Sequence, residues 1–252
     1  MIEVFILSII QGITEFLPIS SSSHLILASD YLSFENQSLS IDISLHIGSF
    51  IAVIAYFGKD ILNYAKNKLL FLKIIISSFP IMFFGYFLIK YGLIDQLRSI
   101  KIIGWTTIIF GILLYISDKF KVNKQLDKDF SFKSVIFIGI LQVLSLIPGV
   151  SRSGITITAS RILNFNRFDS AKISFLLSIP TLGAVTIFGI NNLTQTENIN
   201  FSLLNLIAII LSFIFSFVTI KLFLQYIQKF SLNIFVLYRV VLGIILLILA
   251  YL

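Results

Sequence analysis

The composition of this 252-residue chain excludes a soluble globular protein. Hydrophobic residues make up 57% of it and charged residues only 12%, with a mean hydropathy of +0.99, whereas soluble domains carry about 25% charged residues. The chain contains no cysteine, which excludes disulfides and thiolate metal sites. The net charge of +7 is accounted for by basic cytoplasmic loops of a membrane protein, so no nucleic acid partner is expected.

Six apolar segments are long enough, or nearly so, to cross a bilayer, which takes about 20 helical residues. They are residues 43–58, 69–89, 102–117, 173–190, 203–222 and 234–252. Two shorter apolar segments, 4–17 and 134–147, stop at Pro18 and at Pro148. Irregular backbone at membrane depth is tolerated only where it is buried in protein or lines a cavity. We therefore predict an all-α integral membrane protein with six transmembrane helices and two re-entrant helical segments.

The distribution of lysine and arginine predicts which loops face the cytoplasm. Three basic loops are 59–68, 118–133 and 161–172, and a fourth, 90–101, falls on the outer side in this topology, where its charge has no explanation. The loops without lysine or arginine are 28–42 and 191–200. The positive-inside rule places the first three loops in the cytoplasm. Because 118–133 and 161–172 then lie on the same side, the chain between them must enter the membrane and return, which independently predicts re-entry.

A weak internal repeat relates the two halves of the chain. The positions that match at a constant offset of 131 residues are Gln11 with Gln142, Ser20 with Ser151, and Ser22 with Ser153. Each half then has one re-entrant segment and three spans, and an odd number of crossings inverts the second half. Such inverted-topology repeats are a transporter architecture. We predict a single polytopic domain over 1–252, with repeat one at about 1–117, repeat two at about 133–252 and a basic cytoplasmic loop 118–132 between them.

Two polar stretches, 11–24 and 148–156, follow the ends of the short apolar segments. A charge in hydrocarbon costs roughly 2.5–3.5 kcal/mol, so charged residues there mark a functional site by default. Both stretches break at proline and continue with serines that suit helix N-caps. Two helix N-termini favour an anion, and Arg152 adds a fork suited to phosphate oxygens. The expected ligand is phosphate or pyrophosphate, attached to an apolar group.

The first polar stretch also supplies groups for phosphoryl transfer. Ser21 and His24 are three residues apart and share a helix face. His24 can act as the general base for Ser21 or can itself attack phosphorus, and the sequence leaves the nucleophile open. Glu15 can orient His24, shuttle a proton or bind a divalent cation. Gln11 lies one turn earlier and can reach the same ligand or metal.

Structural roles compete with these functional ones. The serines at 22–23 suit caps or packing, and Glu15 with Arg152 suits a structural ion pair. His46 lies within a span, where we expect a structural hydrogen bond. Arg239 lies near the start of the last span, and we expect its side chain to extend to the membrane interface.

The motif from Gln11 to His24, together with Pro148 to Gly154, resembles the undecaprenyl-pyrophosphate phosphatase family, also called bacitracin-resistance proteins. The similarity extends over the whole chain. It implies a multi-pass enzyme of the bacterial inner membrane that hydrolyses the C55 lipid pyrophosphate to the monophosphate carrier and inorganic phosphate. The carrier is then reused for peptidoglycan synthesis, and resistance follows because bacitracin captures the pyrophosphate.

The resemblance also implies roles for individual residues. The implied catalytic residues are Ser21, His24 and Glu15. The resemblance implies that Arg152 binds the phosphate. From the two polar stretches we expect Ser151, Ser153, Ser20 and Thr156 to bind the pyrophosphate with it. A divalent cation, Mg²⁺ or Ca²⁺, is implied at Glu15 and Gln11, with no organic cofactor. The site is expected to open toward the outer, periplasmic face of the phospholipid bilayer, and a homodimer is compatible with the family.

Two departures from the family pattern are visible. Gln11 takes the uncharged option of the acidic motif, which weakens a two-carboxylate metal site, and Ser23 stands where many members have glycine. The alternative function is a polyprenyl-phosphate transporter or flippase, which the inverted repeat would serve equally well. A protein that combines hydrolysis with transport is a third hypothesis. A transporter needs no nucleophile, so Ser21 and His24 discriminate between the classes.

Overall fold

The computed structural model describes residues 1–32, 38–66, 68–195 and 202–252. Within these ranges the chain folds into helices joined by short connections. The helices are α1 (Ile2–Thr14), α2 (Ser21–Leu32), α3 (Leu39–Tyr56), α4 (Gly58–Lys66), α5 (Lys68–Lys90), α6 (Leu93–Gln96), α7 (Ile100–Asp118), α8 (Leu126–Asp129), α9 (Phe132–Gln142), α10 (Arg152–Ile162), α11 (Arg167–Gln195), α12 (Leu203–Lys229) and α13 (Asn233–Tyr251). A short 3₁₀ helix, Val143–Leu146, continues α9.

Six helices in the described part of the chain are long and apolar enough to cross a membrane. They are α3, α5, α7, α11, α12 and α13. The prediction of an all-α membrane protein with six spans is therefore confirmed. Several helices run past the apolar segments, most clearly α11, which begins at Arg167, and α12, which ends at Lys229, because polar residues cap and extend a helix beyond its apolar part.

The basic loops 118–133 and 161–172 meet at one end of the molecule. The backbone N–H groups of Asn123 and Lys124 both donate to the carbonyl of Asn164. Arg167 makes a bidentate ion pair with Asp118, at 2.7 and 2.9 Å. The chain between these loops, containing α9 and α10, therefore leaves this end and returns to it.

A re-entrant segment must follow such a path. How deeply α9 and α10 enter a bilayer stays a prediction. The inverted repeat and the domain boundaries also stay predictions. The loops predicted to lie outside, 28–42 and 191–200, fall partly outside the described residues.

The short segments are held inside a frame of spans. Helix α1 packs on α12, α9 packs on α5, and α10 lies against α7, α9 and α11, while α13 packs on α7. The buried face of α1 includes Val4, Leu7 and Gln11. The two helix breaks that follow α1 and α9 are thus surrounded by protein, which is the condition for irregular backbone at membrane depth.

Close packing of α9 on α5 predicts a stability effect at Gly139. A Cβ atom added there would lie 2.6 Å from the carbonyl oxygen and 3.1 Å from the Cα of Ser77. Gly139→Ala must push the two helices apart, and overpacking of this kind costs about 1–3 kcal/mol. We expect the midpoint of thermal unfolding in detergent to fall by about 5 °C.

Gly58→Ala is the matched control, because a Cβ at Gly58 in α4 would meet nothing within 4 Å. We expect Gly58→Ala to leave the midpoint unchanged or raise it slightly, since alanine favours the helix. Equal midpoints for Gly139→Ala and Gly58→Ala would contradict the close approach of α5 and α9.

Candidate active site

The first helix break lies between α1 and α2. After Thr14 the chain turns through Pro18, and Ser20 adopts a left-handed φ of 75° immediately before α2 begins. A non-glycine residue in this region costs about 1 kcal/mol or more and is concentrated at functional sites. The Ser20 hydroxyl is hydrogen-bonded to the Ser23 hydroxyl at 3.0 Å. The predicted break and the helix after it are therefore confirmed, and the N-terminal amides of α2 lie at the break.

The second break, between α9 and α10, repeats these features. Ser151 has a left-handed φ of 70°, and its hydroxyl accepts from the Gly154 N–H at 3.1 Å as the N-cap of α10. Ser20 and Ser151 are the residues that match at the 131-residue offset. The same serine pair is hydrogen-bonded in each half, Ser20 with Ser22 at 3.3 Å and Ser151 with Ser153 at 3.1 Å. The two breaks thus share a local conformation as well as a sequence pattern.

The two breaks meet at Glu15, which is buried with 7% of its surface exposed. One carboxylate oxygen accepts from Arg152 Nη2 at 2.9 Å. The other accepts from the Ser21 hydroxyl at 2.7 Å and from Gln11 Nε2 at 3.2 Å. Arg152 also donates to the carbonyl of Ser174 at 3.2 Å. The sequence predicted Glu15, Arg152, Ser21 and Gln11 as part of one site, and the structure brings them into direct contact. Ser174 is an additional contact that the sequence did not predict.

His24 is close to this cluster but makes different contacts. Its Nδ1 bonds to the Ser20 carbonyl at 2.7 Å and must therefore carry a proton. Its Nε2 is 2.6 Å from the Tyr238 hydroxyl, and the two rings stack with an interplanar angle of 12°. Both ring nitrogens are thus engaged, while the Ser21 hydroxyl donates to Glu15. The geometry therefore favours Glu15 over His24 as the base for Ser21.

The remaining hydroxyls expected to bind pyrophosphate are Ser20, Ser151, Ser153 and Thr156. All four are buried. The Ser153 hydroxyl donates to the carbonyl of Leu17 at 2.7 Å, which links the two breaks directly. The Thr156 hydroxyl donates to Ser174 Oγ at 2.7 Å. These hydroxyls support the breaks in this conformation, and their contact with pyrophosphate stays a prediction.

The donor set for a divalent cation consists of Glu15 and Gln11. Gln11 is completely buried, and its Oε1 has no hydrogen-bond partner. Its Nε2 lies 3.0 Å from His46 Nδ1 and 3.4 Å from Ser49 Oγ, so the hydrogen bond expected for His46 is confirmed. Among the described residues, no three acidic, histidine or cysteine side chains lie close enough together to hold a metal ion. A carboxylate and an unpartnered amide oxygen are ligand types suited to Mg²⁺ that keeps waters and binds substrate phosphates.

Arg239 is a component of the site that sequence reasoning placed wrongly. Its side chain does not reach the interface but is completely buried, and it donates to the carbonyls of Pro18 and Gly149 in the two breaks. An arginine within an apolar span was the available signal, because such residues usually face the protein interior. Among the described residues, Arg152 and Arg239 face only the carboxylate of Glu15 at the site. These groups carry net positive charge, which favours an anion.

Fold and site together define a multi-pass, all-α membrane protein with a cluster of charged and hydroxyl side chains where two helix breaks meet. The chain matches the family model described as bacitracin resistance protein BacA over residues 4–245, and it belongs to this family. It is 50% identical over 252 residues to an undecaprenyl-diphosphatase of Pelagibacter ubique (strain HTCC1062), covering 99% of this chain and 98% of that protein. It is 40% identical over 261 residues to an undecaprenyl-diphosphatase of Jannaschia sp. (strain CCS1), covering 98% and 97%.

Proposed function

We propose that this protein hydrolyses undecaprenyl pyrophosphate to undecaprenyl phosphate and inorganic phosphate, which recycles the carrier lipid for peptidoglycan synthesis and gives bacitracin resistance. The observation that carries the proposal is the hydrogen bond from the Ser21 hydroxyl to Glu15, whose other oxygen is held by Arg152. A hydroxyl paired with a base at a helix N-terminus is the arrangement of an activated nucleophile. The names of the relatives, which cover nearly the whole chain, support the same activity.

Arg152 and the N-termini of α2 and α10 bind the pyrophosphate. The bonds of Arg152 to Glu15 and Ser174 use two of its five N–H groups, which leaves donors for phosphate oxygens. These groups hold the substrate so that the terminal phosphorus faces Ser21 Oγ. Fixed donors around a phosphoryl group also stabilise the charge that spreads over its oxygens in the transition state.

In the first chemical step Ser21 Oγ attacks the terminal phosphorus and Glu15 takes the hydroxyl proton. The Oγ–P bond forms, and the bond to the bridging oxygen breaks, with the electron pair leaving on the lipid phosphate. Glu15 passes its proton to the departing lipid phosphate and is ready to act again. The product of this step is a phosphoserine and the carrier monophosphate.

In the second step water attacks the phosphoserine. Glu15 takes a proton from that water and returns it to Ser21 Oγ as inorganic phosphate leaves. His24 can serve as a base or nucleophile only if its Nε2 separates from the Tyr238 hydroxyl, 2.6 Å away in this structure. Catalysis by His24 therefore requires the loss of a hydrogen bond, whereas attack by Ser21 does not.

A divalent cation would be held by Glu15 and the free Oε1 of Gln11. When bound, it supplies positive charge that neutralises the pyrophosphate. These residues provide three oxygen ligands at most, so substrate and water would complete the coordination. We propose Mg²⁺ or Ca²⁺ as the cofactor on this basis.

We further propose that the protein lies in the bacterial inner membrane with the site open to the outer face. Tyr238, which contacts His24, is 42% exposed and provides a lipid-accessible edge of the site. The chain has no cysteine, so labelling of Ser22→Cys by membrane-impermeant thiol reagents tests the orientation. A homodimer stays a prediction.

The second candidate function is transport of a polyprenyl phosphate across the membrane. The observation that favours it is the shared left-handed conformation of Ser20 and Ser151, with φ of 75° and 70°, at matching repeat positions. Equivalent broken helices meeting at one anion site occur in transporters with inverted repeats. Transport does not require the contact between Ser21 and Glu15, so the phosphatase is the better supported function.

Phosphate release from C55 pyrophosphate by purified full-length protein in detergent tests the proposal. We expect robust release by the wild type and a loss of about 10³-fold in Arg152→Ala, because a phosphate-stabilising arginine is worth this much. Release should rise with Mg²⁺ or Ca²⁺ and fall with a chelator, which also tests the metal.

Arg98→Ala is the control, since it removes an exposed arginine far along the chain from the site. We expect it to retain wild-type activity. Folded wild-type protein that binds the lipid but releases no phosphate under any metal condition would exclude the phosphatase and favour transport. Equal activity of Arg152→Ala and Arg98→Ala would exclude this site.

A further inference from the structure

Arg239 is the most deeply buried cation near the site, with 0% of its surface exposed. A buried charge is costly unless it is paired or fully hydrogen-bonded. No carboxylate of the described residues lies within salt-bridge range of its guanidinium, whose hydrogen-bond partners are backbone carbonyls from three separate parts of the chain. The role of Arg239 is therefore to supply hydrogen-bond donors to these carbonyls.

The guanidinium joins both helix breaks to α7. Nη1 donates to the Pro18 carbonyl at 3.2 Å in the first break. Nη2 donates to the carbonyls of Gly149 and Val150 at 2.8 and 3.1 Å in the second break. Nε donates to the carbonyl of Thr107 in α7 at 3.2 Å. One rigid planar group therefore binds carbonyls in both irregular segments, which are the two helix breaks.

The bonded carbonyls lie directly before the residues that form the anion site. Pro18 precedes the left-handed Ser20 by two residues, and Val150 immediately precedes the left-handed Ser151. Each of these serines is followed by the N-terminus of a helix. Strained residues persist only where the surroundings hold them in place, and the guanidinium bonds do this for both breaks at once.

We infer that Arg239 is a positioning residue that holds the N-termini of α2 and α10 at the separation required for binding and reaction of the pyrophosphate. The inference rests on the proposed function and adds a group from the last helix that does not touch the reacting atoms. Lysine cannot replace it, because a single ammonium nitrogen cannot span four carbonyls in three segments as a planar fork does.

The chain offers a matched control at the other end of the molecule. Arg161 is also almost completely buried, at 2%, and donates to the carbonyls of Asp118 and Phe120. Unlike Arg239, it has a carboxylate close by, with Nε 3.5 Å from Asp118 Oδ1. Arg161→Lys therefore disturbs a similar buried arginine in a similar carbonyl cluster without touching the helix breaks.

A distance measurement tests the positioning without any reference to activity. Nitroxide labels are introduced by Ile13→Cys and Ile140→Cys, two exposed positions on α1 and α9 in a chain without other cysteines. Pulsed electron resonance then reports the distance between the two segments that lead into the breaks. We expect Arg239→Lys to broaden this distance distribution and Arg161→Lys to leave it as in the labelled parent.

Kinetics of phosphate release from C55 pyrophosphate provide the second readout. We expect kcat of Arg239→Lys, corrected for folded protein, to fall about 10²-fold, as expected for misplacement of reacting groups by about 1 Å. Arg161→Lys should keep kcat within about twofold of the wild type. A purely structural role for Arg239 would lower the yield of folded protein but not kcat per folded molecule.

A second variant retains the arginine and displaces it. A Cβ added at Gly154 would lie 2.8 Å from Arg239 Nη1, so Gly154→Ala must move the guanidinium. We expect a broadened distance distribution and a loss of kcat about tenfold, smaller than in Arg239→Lys. This variant carries the test if Arg239→Lys does not fold.

The inference is overturned if folded Arg239→Lys or Gly154→Ala shows an unchanged distance distribution and kcat within about twofold of the wild type. It is also overturned if Arg161→Lys produces the same broadening and the same loss, because the effect would then belong to any buried arginine. A wild type that releases no phosphate would refute the proposed function alone, since the distances still decide the role of Arg239.

Discussion

Replacing Ser21 by alanine is expected to reduce phosphate release from C55 pyrophosphate by about 10⁴-fold or more. The change removes the hydroxyl that donates to Glu15 at 2.7 Å, and with it the proposed nucleophile, whose loss in a comparable hydrolase costs even more. Rapid quenching with substrate labelled in the terminal phosphate should trap label on Ser21 in the wild type. No label should remain on Ser21→Ala.

Ser22→Ala is the matched control, because Ser22 is the adjacent exposed serine of the same helix. Its hydroxyl is 3.3 Å from Ser20 Oγ and contacts neither Glu15 nor Arg152 in the structure. We expect activity within about twofold of the wild type, as for most surface substitutions. Label retained in Ser21→Ala but lost in His24→Ala would show that His24 is the nucleophile.

Glu15→Gln is expected to lower kcat by about 10³-fold, the range of a lost general base. The glutamine keeps the shape of the side chain and can still accept from the Ser21 hydroxyl, but it cannot take the proton. It also removes the negative charge that pairs with the partly buried Arg152. The thermal midpoint must therefore be measured with the activity, and kcat expressed per folded molecule.

Two comparisons make the result specific to Glu15. Glu3→Gln makes the same chemical change in the first turn of the same helix, away from the breaks, and should retain full activity. His24→Gln should lose less activity than Glu15→Gln if Glu15 is the base for Ser21. The reverse order, with His24→Gln nearly inactive and Glu15→Gln active, would restore His24 as the base.

Both helix breaks could be predicted from the sequence because local residues determine them. Pro18 and Pro148 cannot continue a helix, and the serines that follow are natural N-caps. The observed helices Ser21–Leu32 and Arg152–Ile162 begin where these rules place them. The left-handed φ of Ser20 and Ser151 was not predictable, because such a conformation is held by the surrounding contacts rather than preferred by serine.

Helix ends were predicted less well than helix positions. The periodicity and length of apolar runs locate the part of a helix that lies in hydrocarbon. They carry no information on the polar turns beyond it, which is why α12 extends to Lys229, seven residues past the apolar segment assigned to it.

Most residues of the site were also predictable, since Glu15, Ser21 and Arg152 are polar or charged residues in apolar surroundings. The pairing within the site was not. Ser21 and His24 share a helix face by spacing, which suggested that His24 serves Ser21. In the structure Ser21 donates to Glu15 across the break, and His24 bonds to Tyr238 of the last helix. A spacing rule applies within one helix and fails where the chain is irregular.

The sequence by itself determined the membrane class, the six spans, the two breaks and the polar residues that lie at them. These properties follow from the burial cost of charge and from the local preferences of proline and serine, which act over a few residues. Only the tertiary structure decided which group accepts the hydrogen bond of the Ser21 hydroxyl. It also decided that Arg239 contacts both breaks, 221 residues from its partner Pro18. Contacts over such separations depend on how the transmembrane helices pack. Local sequence preferences act over a few residues and do not determine them.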